Sequence, residues 1–153
     1  MARKRPQKES LSYLLPLTAE AREAISGSRI SVEPLPFRVG RDLRDPDRSS
    51  FRLFRERRRK GTRGLNEVYL ADRGRPYHLS RKHFLIGRDE HRFFLLDRDS
   101  ACGTVVEGTM VGGKREGGQC WLRSGDTIRA GGSHSPFAFR FVCPDPTDAD
   151  PTA

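Results

Sequence analysis

From Ser28 onward the chain is cut into short strand-like runs, the first of them alternating apolar and polar side chains, and this pattern constrains the fold more than any other feature. Ile30 and Val32 begin the series, and Leu35, Phe37 and Val39 continue it. Pro34 and Pro36 suit an edge or a bulge there, because a proline cannot donate to a central ladder. Strand-like runs follow at Glu67–Leu70, His83–Ile86, Phe93–Leu96, Gly103–Val106, Thr127–Arg129 and Phe137–Val142. Turn-forming clusters separate them at 87–90, 97–100, 112–113, 124–126 and 131–132. No internal repeat appears, which argues against a propeller or solenoid. Many short strands with little helix predict an all-β protein, a two-sheet antiparallel β-sandwich.

The ends read differently. Residues 1–10 form a basic arm, and Thr18 is placed to cap a short helix over Ala19–Ile25, with Gly27 to end it. The run Leu11–Leu17 between the basic arm and Ala19-Glu20-Ala21 imitates a leader, but it is too short and Pro16 breaks it. The chain thus divides into an arm and helix at 1–27, a sandwich at 28–142 with an Arg-rich insertion at 42–64, and a disordered acidic tail at 143–153.

The net charge of +9 is uneven: residues 1–9 carry +3, residues 42–64 carry +5 and residues 144–153 carry −3. Cys102, Cys120 and Cys143 are odd in number and widely spaced, and His78, His83, His91 and His134 make no zinc-like spacing with them. Reduced thiols in a cytoplasmic protein are expected, with no metal and no cofactor. No apolar run approaches the roughly 18 residues of a membrane span. A Gly-x-Ser-x-Gly elbow, a His-Glu-x-x-His pair and a P-loop are all missing, so no enzyme activity is expected.

Four landmarks stand in a fixed order. Gly40-Arg41 ends one strand, and Leu79-Ser80-Arg81-Lys82-His83 opens another. Ser100-Ala101-Cys102-Gly103-Thr104 joins two more, and Leu122-Arg123-Ser124-Gly125-Asp126-Thr127-Ile128 precedes the last pair. The series resembles the pattern of the forkhead-associated (FHA) family over residues 28–142. Any one motif alone would be weak; their order makes the resemblance specific. It implies an FHA/SMAD-like sandwich of eleven strands that binds phosphothreonine peptides with loops at one end. By that resemblance Arg41 and Ser80 are the main phosphate contacts, and Arg81 holds the ligand backbone or phosphate. His83 braces the binding loop, while Gly40 and Gly103 serve backbone geometry. The chemistry agrees, since a phosphate needs a forked cation and short hydroxyl donors converging on it. Trp121, Phe93, Phe137, Phe139 and Phe141 read as core.

The third landmark departs from the pattern. Cys102 stands where the family has an Asn that holds the ligand main chain, and Ala101 stands where a hydroxyl often reaches the phosphate. A thiol is a weak hydrogen-bonding group and a methyl is none. Three readings follow. The first is an adaptor that binds phosphothreonine-containing partner proteins in signalling, its own tail at Thr147 included, since Asp150 follows three places on. The second is a scaffold that binds partners without phosphate. The third is a nucleic-acid-associated protein using the basic arm and the 42–64 loop.

Overall fold

A strand buried on one face must put every second side chain inside, and Arg92–Asp97 does so: Phe93, Leu95 and Asp97 are buried while Arg92, Phe94 and Leu96 are partly exposed. A computed structural model describes residues 11–42, 66–74 and 76–144. The arm at 1–10, the insertion from 43 to 64 and the tail from 145, with Thr147, lie outside the described residues.

Eleven strands and one helix form among the described residues: β1 (Tyr13–Pro16), α1 (Ala19–Ile25), β2 (Ile30–Ser31), β3 (Phe37–Arg41), β4 (Val68–Leu70), β5 (Phe84–Asp89) and β6 (Arg92–Asp97). Then come β7 (Thr104–Val106), β8 (Thr109–Val111), β9 (Gly118–Leu122), β10 (Thr127–Ala130) and β11 (Phe137–Val142). Six strands lie in the order β2-β1-β11-β10-β7-β8, and five in the order β4-β3-β5-β6-β9. The pairings are antiparallel except β3 with β4, which run parallel. The expected two-sheet sandwich is therefore what forms. Between the sheets lie Phe37, Val39, Phe84, Ile86 and Leu95 from one and Leu14, Ile128, Phe139 and Phe141 from the other, all at most 2% exposed. The Phe93 and Phe141 rings meet across the layer edge-on, with centroids 5.1 Å apart. Each such buried side chain contributes roughly 1.5–3 kcal/mol.

Several local expectations need correction. Leu11–Leu17 holds β1, paired to β11 from Tyr13 with Val142 to Pro16 with Phe139, so the first strand lies ahead of the helix and well before Ser28. Thr18 caps α1 by accepting from the Ala21 amide at 3.1 Å, as expected, but the left-handed residue that ends the helix is Ser26, not Gly27. Gly87 lies within β5 rather than in a turn, because the Phe94 ring is laid over its bare Cα from the neighbouring strand. Trp121 is not core: on β9, Leu122 points inward and Gln119 and Trp121 outward, and Trp121 is 45% exposed. Phe94 and Arg92 pack against its ring from β6. No helix among the described residues is long and apolar enough to cross a membrane.

Candidate functional site

Arg41 is the last residue of β3, and three backbone bonds fix where it ends. Its amide donates to the Ser80 carbonyl at 2.9 Å, the Asp42 amide to the Leu70 carbonyl at 2.8 Å, and the His83 amide to the Val39 carbonyl at 3.0 Å. The side chain turns onto Tyr77, whose ring centroid lies 3.9 Å from the guanidinium carbon. Among the described residues the Arg41 Nε is buried with no hydrogen-bond partner. A cation held by an aromatic face keeps its forked donors for an anion, which one locked to a carboxylate does not.

Ser80 sits between two landmarks. Its hydroxyl oxygen accepts from the Ala101 amide at 3.0 Å, leaving its own proton to donate elsewhere. Its amide donates to His83 Nδ1 at 3.0 Å. That bond makes Nδ1 an acceptor, so Nε2 carries the proton and donates to the Gly103 carbonyl at 2.7 Å. The Gly131 amide also donates to that carbonyl, at 2.9 Å. His83 is fully buried, and burial pushes its pKa below the usual imidazole value, although the Gly103 carbonyl and the Asp97 and Asp72 charges favour the cation. One neutral imidazole thus ties the loop before β5 to the loop before β7, and the Gly103 carbonyl it binds holds the loop after β10 as well.

Two glycines are required where these loops close. A Cβ at Gly40 would stand 1.9 Å from the Arg81 carbonyl oxygen. Gly103 has φ +81°, which side chains other than glycine rarely adopt.

The structure brings Arg41, Ser80 and Ala101 into direct contact through hydrogen bonds. Cys102 follows, exposed, with Sγ 3.8 Å from the Tyr77 carbonyl oxygen. Ala101 has no hydroxyl, and its amide is already used by Ser80. The Arg81 carbonyl is bound by Asn66 Nδ2 at 2.8 Å, while its side chain is exposed beside Ser80.

Sequence reasoning missed the supports. Buried Asn66 also accepts from Arg98 at 2.7 Å, so it joins the β4 approach to the loops before β5 and after β6. Buried Asp72 accepts from the amides of Gly74, His78 and Leu79 at 2.9, 2.7 and 2.9 Å, shaping the segment that presents Tyr77 and Ser80. Buried Asp97 accepts from the Ser100 amide, the Ser100 hydroxyl and the Thr104 hydroxyl at 2.9, 2.7 and 2.8 Å. The spacing Asp97 to Ser100 was a visible turn signal; nothing in the sequence pairs Asn66 with Arg81 or Tyr77 with Arg41. Among the described residues no His, Cys, Asp and Glu cluster could hold a metal ion.

The fold and these interlocked loops define a two-sheet β-sandwich module with one end organised around Arg41 and Ser80. A family model described as FHA domain matches residues 37–131, and the chain belongs to that family. Full-length yeast Pml1p has a similar structure at 17% identity and TM-score 0.58, covering 91% of this chain and 85% of its own. The FHA domain of CT664 from Chlamydia trachomatis is similar at 19% identity and TM-score 0.53, covering 87% and 97%. Mycobacterium tuberculosis EmbR, in complex with a low-affinity phosphopeptide, is similar at 18% identity and TM-score 0.55, covering 88% of this chain. This chain spans 24% of that EmbR chain. At these identities the likeness is one of fold. No curated protein matched the sequence.

Proposed function

We propose that this FHA domain is a non-catalytic adaptor that reads phosphothreonine in partner proteins, with Arg41 and Ser80 as its phosphate contacts. One observation carries the reading. The Arg41 guanidinium has a buried nitrogen without a partner and is held on Tyr77, and the Arg41 backbone is bonded to Ser80, whose hydroxyl keeps its proton to donate. A buried donor left unpaired calls for a ligand that completes it, and a phosphate oxygen does so. His83, Gly40 and Gly103 support this arrangement from behind, and Arg81 stands exposed at its rim. The phosphopeptide bound to EmbR agrees with this class of ligand.

An oriented phosphothreonine peptide library identifies the ligand, and isothermal titration then compares the wild type with Arg41→Ala. Loss of charge-assisted bonds worth about 1.5–3 kcal/mol weakens binding roughly ten- to a hundredfold. Equal affinity of Arg41→Ala and wild type for the phosphopeptide would remove Arg41 from the site.

Ala101 and Cys102 favour a second reading, a scaffold that binds partners without phosphate, because neither side chain supplies the usual hydroxyl or amide. Paired phosphorylated and unphosphorylated baits separate the two: equal capture selects the scaffold. Restoring the family pattern with Ala101→Thr and Cys102→Asn raises phosphopeptide affinity under the first reading and changes nothing under the second.

A further inference from the structure

The loop between β8 and β9 holds Lys114 and Arg115 in consecutive left-handed conformations, φ +52° and +61°. Neither residue type favours that region, and two in succession need an outside hold. The hold is the Ala101 loop itself. The Lys114 amide donates to the Ala101 carbonyl and the Arg115 amide to the Ser100 carbonyl, each at 3.0 Å.

The same Ala101 whose amide bonds the Ser80 hydroxyl therefore bonds Lys114 with its carbonyl. One residue and two hydrogen bonds separate the Lys114 amide from Ser80 Oγ, a span of roughly 10 Å at most. Both basic side chains are exposed, and neither forms an ion pair among the described residues. Arg81 and Lys82, also exposed, follow Ser80 in the chain. Over segments 80–83, 98–103 and 112–117 the exposed acids are Asp99 and Glu116, against the four exposed cations Arg81, Lys82, Lys114 and Arg115.

We infer that Lys114 and Arg115 are a second anion-reading element of this domain, selecting phosphopeptides with an acidic side chain on the Ala101 side of the phosphothreonine. This rests on the phosphothreonine reading and names the ligand more closely. The element stands behind the two positions where the chain lacks the family's polar side chains. Charge from the β8–β9 loop takes over the ligand grip that Ala101 and Cys102 do not give. A long cation on a fixed backbone suits this role, because only its side chain must be ordered on binding.

The test is isothermal titration of the whole chain against phosphothreonine peptides in which one glutamate is scanned through otherwise neutral flanks. Exposed charge pairs are weak, so the best glutamate position binds roughly two- to fivefold tighter than the neutral peptide. Lys114→Asn with Arg115→Asn keeps the left-handed backbone, which Asn tolerates, and abolishes that preference. Lys114→Glu with Arg115→Glu reverses it toward a lysine-scanned peptide. Arg81→Ala leaves it in place. The inference is overturned if wild type binds neutral and acidic phosphopeptides equally, if the preference survives the double Asn variant, or if Arg81→Ala alone removes it. If no phosphopeptide binds, or binding ignores Arg41→Ala, the underlying reading fails and this one with it.

Discussion

Gly40→Ala isolates the closure of the site from its chemistry. The added methyl would stand 1.9 Å from the Arg81 carbonyl oxygen, 2.8 Å from its carbon and 2.6 Å from Asn66 Nδ2. The first two atoms are backbone, so no rotamer change relieves them. β3 and the Ser80–Arg81 segment must part by roughly 1.5 Å to reach ordinary contact. That movement strains the Arg41 amide bond to Ser80 and the Asn66 bond to Arg81, each worth about 1 kcal/mol net. Overpacking adds about 1–3 kcal/mol, so the expected loss is about 3–5 kcal/mol. For a domain of ordinary stability this is a large fraction, and the urea midpoint falls by more than about 1 M. Gly132→Ala is the control: nothing lies within 4 Å of its Cβ and its φ is not positive, so it stays within about 0.5 kcal/mol of wild type. Urea titration followed by tryptophan fluorescence measures both. A Gly40→Ala midpoint equal to that of wild type would refute the claim that the Arg81 carbonyl fixes this glycine.

Tyr77→Ala frees the Arg41 guanidinium and weakens phosphopeptide binding roughly two- to fivefold in titration calorimetry, whereas Tyr77→Phe, which keeps the ring face, matches wild type. Because burial holds His83 neutral in the fold while the unfolded chain takes up a proton near 6.5, its contribution is complete above that pH and declines as the pH falls from 6.5 through the folded value. The urea midpoint is therefore lower at pH 5.5 than at 7.5, and an imidazolium signal for native His83 at pH 6.5 in NMR would contradict the assignment. Leu122→Ala costs about 2–5 kcal/mol in thermal or urea melts, while Trp121→Ala, one residue away on the outer face, costs under about 1 kcal/mol.

What the sequence revealed and what it hid follow from the range of the interactions. Strands rich in large apolar residues announced themselves: β6 and β11 bury Phe93, Leu95, Phe137, Phe139 and Phe141, and both lie where the strand-like runs placed them. The missed strands are those whose local signal is short or mixed. Tyr13–Pro16 has four residues with a proline among them, and its strand state is decided by β11, more than a hundred residues away. In β9, Cys120 and Trp121 are adjacent aromatic and thiol residues, so apolarity alone could not show which faces in; pairing with β6 decides it. The helix end shifted from Gly27 to Ser26 because the left-handed cap follows the backbone bond from Ser26 to Glu23.

The site divides along the same line. Gly40, Arg41, Ser80, His83 and Gly103 were visible because a contiguous motif states each one. Tyr77, Asn66 and Asp72 were hidden because their roles exist only after three separate loops meet. That distinction bears on Ala101 and Cys102. The frame that presents Arg41 and Ser80 uses the Ala101 amide and carbonyl, the Gly103 carbonyl and the Asp97 carboxylate, none of which depends on the side chains at 101 and 102. Those two positions were therefore able to lose their polar groups without loosening the frame. Cys102 Sγ keeps one weak contact, to the Tyr77 carbonyl, and on the reading proposed above Lys114 and Arg115, carried by the same frame, supply charge in place of the missing polar groups.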